Sequence, residues 1–164
     1  MSFHSKLEDE IKHLQNELFM ARSLIIELMP LEVQQALYDF YNCQSRSQLH
    51  QLRELTINKL IEIAGDKPDK VIHDLISSTH RAYCPLCGGS AHSTYGADGF
   101  ALPEGLRRHL NGSYNSQRCP VFEEIRKHSI DHIKMIEDRQ ESLRLEEQRA
   151  TKSKHKKSPP PLKI

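Results

Sequence analysis

The chain has 164 residues, of which 37% are hydrophobic and 27% are charged, and it contains no tryptophan. This apolar content is thin, so one large core is not expected, and small modules then need a metal ion, disulfides or a partner chain for stability. The formal net charge of +1 excludes a global attraction to nucleic acid, and because no run of about 18 apolar residues occurs, no membrane-spanning helix is predicted.

The first 29 residues show the clearest periodicity in the chain. Apolar residues recur at alternating intervals of four and three, which is the spacing of a heptad seam. The a positions hold Ile11, Leu18 and Ile25, and the d positions hold Leu7, Leu14, Ala21 and Leu28. So narrow a stripe needs an apolar partner, and residues 1–29 are therefore predicted to form a coiled-coil helix that makes a homodimer through Leu7–Leu28. An amphipathic helix that packs inside its own chain fits the pattern equally well.

Residues 30–79 are predicted to form a segment of a helical bundle. Two helices are expected, one over 31–41 that opens at Pro30 and one over 48–64 that Gly65 ends. A third, short helix is expected to bury the apolar residues Val71, Ile72, Leu75 and Ile76. Short joints between helices favour an antiparallel bundle or an intertwined dimer.

Residues 80–119 differ in kind from the helical segments around them. Six of the seven glycines and three of the four cysteines fall in this stretch, which cannot bury enough apolar area to order itself. Cysteines in a chain of this type indicate metal ligands in a reducing compartment rather than disulfides. Cys84 and Cys87 have the two-residue spacing of a zinc knuckle, in which two thiolates on a tight turn reach one ion. Gly88 allows that turn.

A second pair of ligands is inferred from local structure. Pro103 fits the first turn of a short helix that ends at Asn111, and His109 lies near the end of that helix. Cys119 directly precedes Pro120, so its sulfur is expected at the positive end of a long helix. His109 and Cys119 are therefore predicted to complete a Zn²⁺ site. Four other histidines are competing candidates: His80, His92, His128 and His132.

The order of these residues resembles that of a C2H2-type zinc finger. Cys84, Cys87, Phe100, Leu106 and His109 follow the pattern C-x2-C and then F-x5-L-x2-H, with Cys119 as the last ligand of a Cys2HisCys variant. The resemblance covers residues 84–119 only, and the chain departs from the family in two gaps that are longer than usual, one after Cys87 and one after His109. A knuckle followed by ligands near helix ends is also similar to a treble clef. It implies that Phe100 and Leu106 form a small core and that the short helix contacts nucleic acid. Three arginines would then lie at the nucleic-acid interface: Arg107, Arg108 and Arg118.

The C-terminal part of the chain is predicted to be a long helix over 120–148 followed by a disordered basic tail over 149–164. The helix segment carries eight acidic and five basic residues, whereas the tail is rich in lysine, has no acidic residue and ends near a run of three prolines. Such a composition is typical of a solvated helix followed by an unstructured tail.

The expected protein is mainly α-helical, with a coiled coil, helical hairpins, a small zinc-finger module and a long C-terminal helix. Two functions compete: a DNA-associated, regulatory nucleic-acid-binding protein, or a zinc-stabilised adaptor that binds another protein. No enzyme is expected, because the chain has no HExxH, P-loop, GxGxxG or GxSxG motif, and four protein ligands would close a zinc site to substrate. A cytoplasmic location is predicted, or a nuclear one in a eukaryote.

Overall fold

The computed structural model describes residues 3–65, 71–73, 80–91, 98–114 and 117–156. These residues form the helices α1 (Phe3–Glu27), α2 (Leu31–Tyr41), α3 (Arg46–Gly65), α4 (Glu104–Asn111) and α5 (Pro120–Lys156) and the strands β1 (Val71–His73), β2 (His80–Ala82) and β3 (Phe100–Ala101). The mainly helical fold class is confirmed. Within the described ranges, no helix is long and apolar enough to cross a membrane.

The helix boundaries that proline and glycine predict are found in the structure. Pro30 directly precedes α2, where the amide hydrogen that proline lacks would have no partner inside the helix. Gly65 is the last residue of α3. Gly112 follows α4 with a φ of 75°, a conformation that residues with a Cβ adopt only under strain.

The predicted short helix through Val71 and Ile72 is wrong, because Val71–His73 is strand β1. Leu75 and Ile76 lie outside the described residues. β1 pairs antiparallel with β2, which pairs antiparallel with β3. Two adjacent β-branched residues suit a strand, but a short apolar run is ambiguous in sequence, and only the pairing with β2 selects the extended form.

The predicted end of the long helix is also corrected by the structure. Helix α5 has 37 residues and continues to Lys156, so residues 149–156 of the predicted disordered tail are helical. Alanine, lysine and arginine are good helix formers, and an existing helix propagates through them at little cost. The remainder of the predicted tail, 157–164, lies outside the described residues.

One hydrophobic core joins the helices to the glycine-rich segment, against the expectation of separate small cores. α2 and α3 contribute Leu37, Phe40, Ile57 and Leu60, and α4 and α5 contribute Leu106, Leu110, Phe122 and Ile125. The rings of Phe40 and Phe122 stack with centroids 5.3 Å apart. Cys84 and Cys119 belong to the same cluster of buried residues, so the predicted ligands lie against the core rather than in an appended module.

Helix α1 packs against α5 through a small set of polar and aromatic contacts. Arg22 is 8% exposed, and its guanidinium pairs with Glu124 at 2.9 Å and with Asp131 at 2.6 Å. One turn away, the ring of His128 stacks on Phe19 with centroids 4.2 Å apart. A buried cation paired with two carboxylates, beside a buried ring, fixes the helix pair in one arrangement.

The buried ring of His128 makes the α1–α5 contact sensitive to acid. Burial lowers the pKa of His128, and the neighbouring charges of His132 and Arg22 lower it further, although Asp131 acts in the opposite direction. The unfolded chain therefore binds a proton near pH 6.5 that the folded chain binds only at lower pH. The free energy of unfolding is expected to fall as the pH drops below about 6.5.

Urea unfolding of the metal-loaded protein between about pH 7.5 and 5.5 measures this dependence. His128→Gln should make the decline shallower, because it removes the titrating ring. The matched control is His13→Gln, at a histidine whose side chain is 70% exposed, and it should leave the decline unchanged. Equal declines in wild type and His128→Gln would contradict the assignment.

Candidate metal centre

The segment Cys84–Gly89 folds into a tight turn directly after β2. The amide of Gly88 donates to the carbonyl of Cys84, and the amide of Cys84 donates to the carbonyl of Gly89, both at 2.9 Å. Gly88 has a φ of 66°, which costs about 1–2 kcal/mol for a residue with a side chain. The amide of Gly89 donates to Cys87 Sγ at 3.3 Å. These hydrogen bonds fix the turn that carries both cysteine side chains.

The loop that carries this turn is closed by a residue that the sequence pattern does not reveal. Arg81, in β2, is 8% exposed, and its guanidinium donates to the carbonyl of Gly99 at 2.6 Å and to that of Ala91 at 3.2 Å. Gly99 has a φ of 95°, and a Cβ there would lie only 3.1 Å from the backbone nitrogen of Ala82. The return of the chain to β3 therefore depends on glycine at this position.

The other two predicted ligands lie where α4 ends and α5 begins. The amide of Cys119 donates to the carbonyl of His109 at 2.7 Å, so the two residues are held side by side. His109 Nδ1 lies 3.2 Å from the carbonyl oxygen of Gln117. A proton on Nδ1 would be donated to that oxygen, which leaves Nε2 as the free ligand atom. Phe100 stacks on the imidazole with centroids 4.3 Å apart and fixes the plane of the ring.

The structure brings the four predicted ligands into one cluster. One ligand atom each from Cys84, Cys87, His109 and Cys119 lies within 4.8 Å of the other three. The sulfurs of Cys84 and Cys119 are 3.9 Å apart, and Cys87 Sγ is 3.4 Å from His109 Nε2. Three of the four residues are buried, and Cys87 is half-buried. These residues are therefore positioned to bind a metal ion, in an arrangement compatible with a zinc site.

The short distances within the cluster shift the pKa values of its cysteine and histidine side chains. Hydrogen bonding to Cys119 and then to Cys84 lowers the pKa of the Cys87 thiol far below its usual range. Burial opposes protonation of His109, but hydrogen bonds to Cys119 and Cys87 outweigh it and raise the pKa to about 9. The cluster thus favours a negative sulfur on Cys87 next to the positive ring of His109, whereas hydrogen bonds to Cys119 and Cys87 raise the pKa of the Cys84 thiol above its usual range. A divalent cation satisfies this preference better than a shared proton, because it contacts all four atoms at once.

The three competing histidines that the structure describes do not join the cluster. His80 lies exposed in β2, His128 lies at the α1–α5 contact, and His132 follows it on α5 outside the cluster. His92 is outside the described residues. Across the described ranges, no second group of three or more potential ligands comes together.

Two of the three arginines named from the finger resemblance are engaged within the chain. Arg107 extends from α4 to α3, where it donates to Asn58 Oδ1 at 2.7 Å and pairs with Glu54 at 3.2 Å. Arg118 pairs with Glu123 at 2.9 Å. Hydrogen bonds from Arg126 and from Arg118 lower the pKa of that carboxyl to about 2. Both guanidinium groups thus already face a carboxylate.

Arg108 differs from these two because its side chain is exposed on α4. The buried face of α4 carries Leu106, His109 and Leu110. The helix therefore turns its ligand and its apolar residues inward, and Arg108 is its outward-facing cation.

Comparison of the chain with protein-family models, curated proteins and solved structures gives no match. The finger resemblance therefore depends on residues 84–119 alone. Two of its structural expectations are met, since Leu106 is fully buried and Phe100 packs on the ligand His109. β2, β3 and α4 follow one another in the strand–strand–helix order of such a module.

We expect Cys84→Ser to reduce the metal content from about one ion per chain to a small fraction, since a serine hydroxyl is a far weaker ligand than a thiolate. Mass spectrometry of the native protein measures the bound ion. Cys43→Ser is the matched control, because Cys43 is equally buried but lies outside the cluster. Full metal content in Cys84→Ser would contradict the site.

Proposed function

We propose that this protein is a zinc-stabilised scaffold for protein association, in which a closed Zn²⁺ site braces the helices and α1 presents the binding surface. The proposal has two parts, the identity and role of the ion, and the class of partner. The observation that carries it is a contrast between two helices. On α4, Arg107, which the finger resemblance predicts to contact nucleic acid, is bound to α3. On α1, the heptad seam is exposed.

The ligand set and its spacing support zinc. Three cysteines and one histidine form a common structural zinc set, and soft thiolates select zinc over magnesium or calcium. With about 2.3 Å to each sulfur and about 2.0 Å to the nitrogen, tetrahedral Zn²⁺ sets two sulfurs about 3.8 Å apart and sulfur and nitrogen about 3.5 Å apart. The corresponding distances are 3.9 Å and 3.4 Å, so little movement is needed to receive the ion.

A structural role for zinc follows from the number of ligands and their places in the chain. Four protein ligands leave no open position for a substrate or an activated water. The ion would instead join the turn after β2, the end of α4 and the start of α5. We therefore propose that the site has no catalytic role. Zinc would act by holding together elements that are far apart in the sequence.

Protein association is favoured over nucleic-acid reading by the surfaces that remain available. If α4 bound nucleic acid, Arg107 would have to leave Glu54 and Asn58, and Arg118 would have to leave Glu123. Each of these separations loses a charge-assisted hydrogen bond. α1 needs no such change. Leu14, Leu18 and Leu28 are 56%, 49% and 86% exposed, and a contiguous apolar face of this kind marks an interaction surface.

Nucleic-acid binding is the second candidate, because Arg108 is exposed and the end of α5 is basic. Arg149 and Lys152 are both exposed on α5, and further lysines follow them in the sequence. Such cations contact phosphates without reading sequence.

The identity of the ion is tested by reconstitution of the apoprotein with Zn²⁺ or with Co²⁺ as a spectroscopic substitute. We expect one ion per chain, and for Co²⁺ the strong visible absorption of a tetrahedral, thiolate-rich site. His109→Ala should weaken binding and alter that absorption, whereas His80→Ala, at an exposed histidine outside the cluster, should do neither. An octahedral spectrum or a stoichiometry of one ion per two chains would overturn the closed site.

A salt series with generic duplex DNA separates the two candidate functions. For a protein-association scaffold we expect only weak, non-specific affinity, with a dissociation constant of about 10⁻⁴–10⁻⁶ M at physiological salt, unchanged by Arg108→Ala. Arg139→Ala, at an exposed arginine of α5, is the control for a simple loss of charge. Tight binding that Arg108→Ala or an Arg107→Ala, Arg108→Ala double variant abolishes would favour the zinc-finger function. Binding that is lost only on truncation after Ala150 would assign it to the basic end of the chain.

A further inference from the structure

We infer that the partner of the α1 surface is a second copy of this chain, and that the two α1 helices pair in parallel as a two-stranded coiled coil. This inference rests on the proposed role of α1 as an association surface and names the occupant of that surface. It is carried by the exposure of the seam, by the residues at its a and d positions, and by the charges beside it.

Helix α1 has two separate faces, and only one of them packs against other parts of the chain that the structure describes. The residues that contact α5 or the core are Phe19, Arg22, Ser23 and Ile26, which occupy b, e and f positions of the heptad. The a and d residues lie about 120° away around a helix of 3.6 residues per turn. Packing of α1 inside its own chain and pairing of its seam with a partner are therefore compatible.

The whole seam is solvent-exposed among the described residues. Its exposed large residues are Leu7, Ile11, Leu14, Leu18, Ile25 and Leu28, with exposures from 37% to 86%. Every side chain described from position 4 to position 18 is exposed, so the first four turns of α1 have no packing of their own. An isolated amphipathic helix of this length is marginal in water, and a partner would supply the missing burial.

The exposed area suits a helix pair. The seam side chains and Leu24, which is 54% exposed beside them, offer on the order of 600–700 Å² per chain, close to the roughly 800 Å² per partner of a standard interface. A partner that covers the seam therefore needs only one complementary helix, and α1 itself is such a helix.

The choice of residues favours the parallel, two-stranded form. Isoleucine at a with leucine at d favours parallel dimers. Here Ile11 and Ile25 occupy two of three a positions, and leucine occupies three of four d positions. In this form each a residue meets its own copy across the seam.

The charges beside the seam point the same way. In the parallel form Glu10 at a g position faces Gln15 at an e position of the second copy, so no like-charge pair forms there. Glu17 comes opposite the e position of Arg22, whose guanidinium is already held by Glu124 and Asp131 of its own chain. An antiparallel pair with full overlap of the seam places Glu17 opposite Glu17 of the second copy, and like charges at this spacing are destabilising.

The stoichiometry is tested by light scattering of the zinc-loaded full chain over a dilution series. The wild type should have twice the chain mass, and Leu14→Glu should weaken association at least 100-fold, because it places two carboxylates in the apolar seam. Met20→Glu is the matched control: Met20 is 60% exposed, more than Leu14, but occupies a c position outside the seam. It should remain dimeric.

The outcomes separate this inference from the proposed function. A monomeric wild type, or an equal loss of association in Leu14→Glu and Met20→Glu, overturns the coiled-coil pair. The proposed function is then decided independently, by the zinc content and by the DNA affinity. Retained zinc and retained far-ultraviolet circular dichroism in Leu14→Glu show that a loss of mass reflects the seam rather than unfolding.

The orientation is tested by disulfide trapping in a glutathione buffer, with zinc content monitored so that the ligand thiols stay metal-bound. Leu7→Cys, at a d position, should form a disulfide-linked dimer, whereas Asp9→Cys, at an outward f position, should not. An antiparallel pair would instead link Leu7→Cys chains to Ile25→Cys chains in a mixture and leave Leu7→Cys alone unlinked, which would overturn the parallel form.

Discussion

The meeting of four side chains from three separate parts of the chain is the constraint on which the rest of the structure depends. Cys84 and Cys87 follow β2, His109 lies in the last turn of α4 and Cys119 precedes α5, so one ion can fix the relative positions of all three elements. The cluster also lies against the hydrophobic core. The metal centre and the helical core are therefore parts of one cooperative unit rather than a finger attached to a bundle.

Contacts on both sides of α4 hold this short helix in position. Eight residues are too few for a stable isolated helix, and α4 is held by buried Leu106 and Leu110 on one side and by the Arg107 contacts to α3 on the other. These contacts place His109 beside Cys119, whose amide hydrogen bond joins α4 to α5. The arginine that a finger would offer to nucleic acid contributes here to the placement of a ligand.

Much of the helical framework and the four clustered residues could be predicted from the sequence, because each depends on local chemistry. Proline marks helix starts because its backbone is restricted, and glycine marks helix ends because its backbone is permissive. The two-residue spacing of the cysteines indicates a turn that can bind an ion. The strand at Val71, the carbonyl contacts of Arg81 and the pairing of Arg107 with Glu54 could not be predicted. Each depends on a partner supplied by the fold: Ala82 for Val71, Gly99 for Arg81, and for Arg107 a residue 53 positions away.

The extension of α5 to Lys156 was missed for another reason. The composition suggested disorder, whereas residues of good helix propensity continue a helix that has already formed.

The division of α1 into two faces connects the metal centre to association. Arg22 and Phe19 fix one face of α1 on α5, and α5 begins directly after Cys119 of the candidate metal site. A single long helix therefore connects the cluster to the helix that carries the seam. The seam residues on the other face do not belong to the core that the described residues form. Seven positions that keep a strict heptad pattern and stay exposed among the described residues are best explained by burial between chains, because exposed leucine and isoleucine otherwise promote aggregation. In this view zinc organises the body of each chain and α1 joins two such bodies.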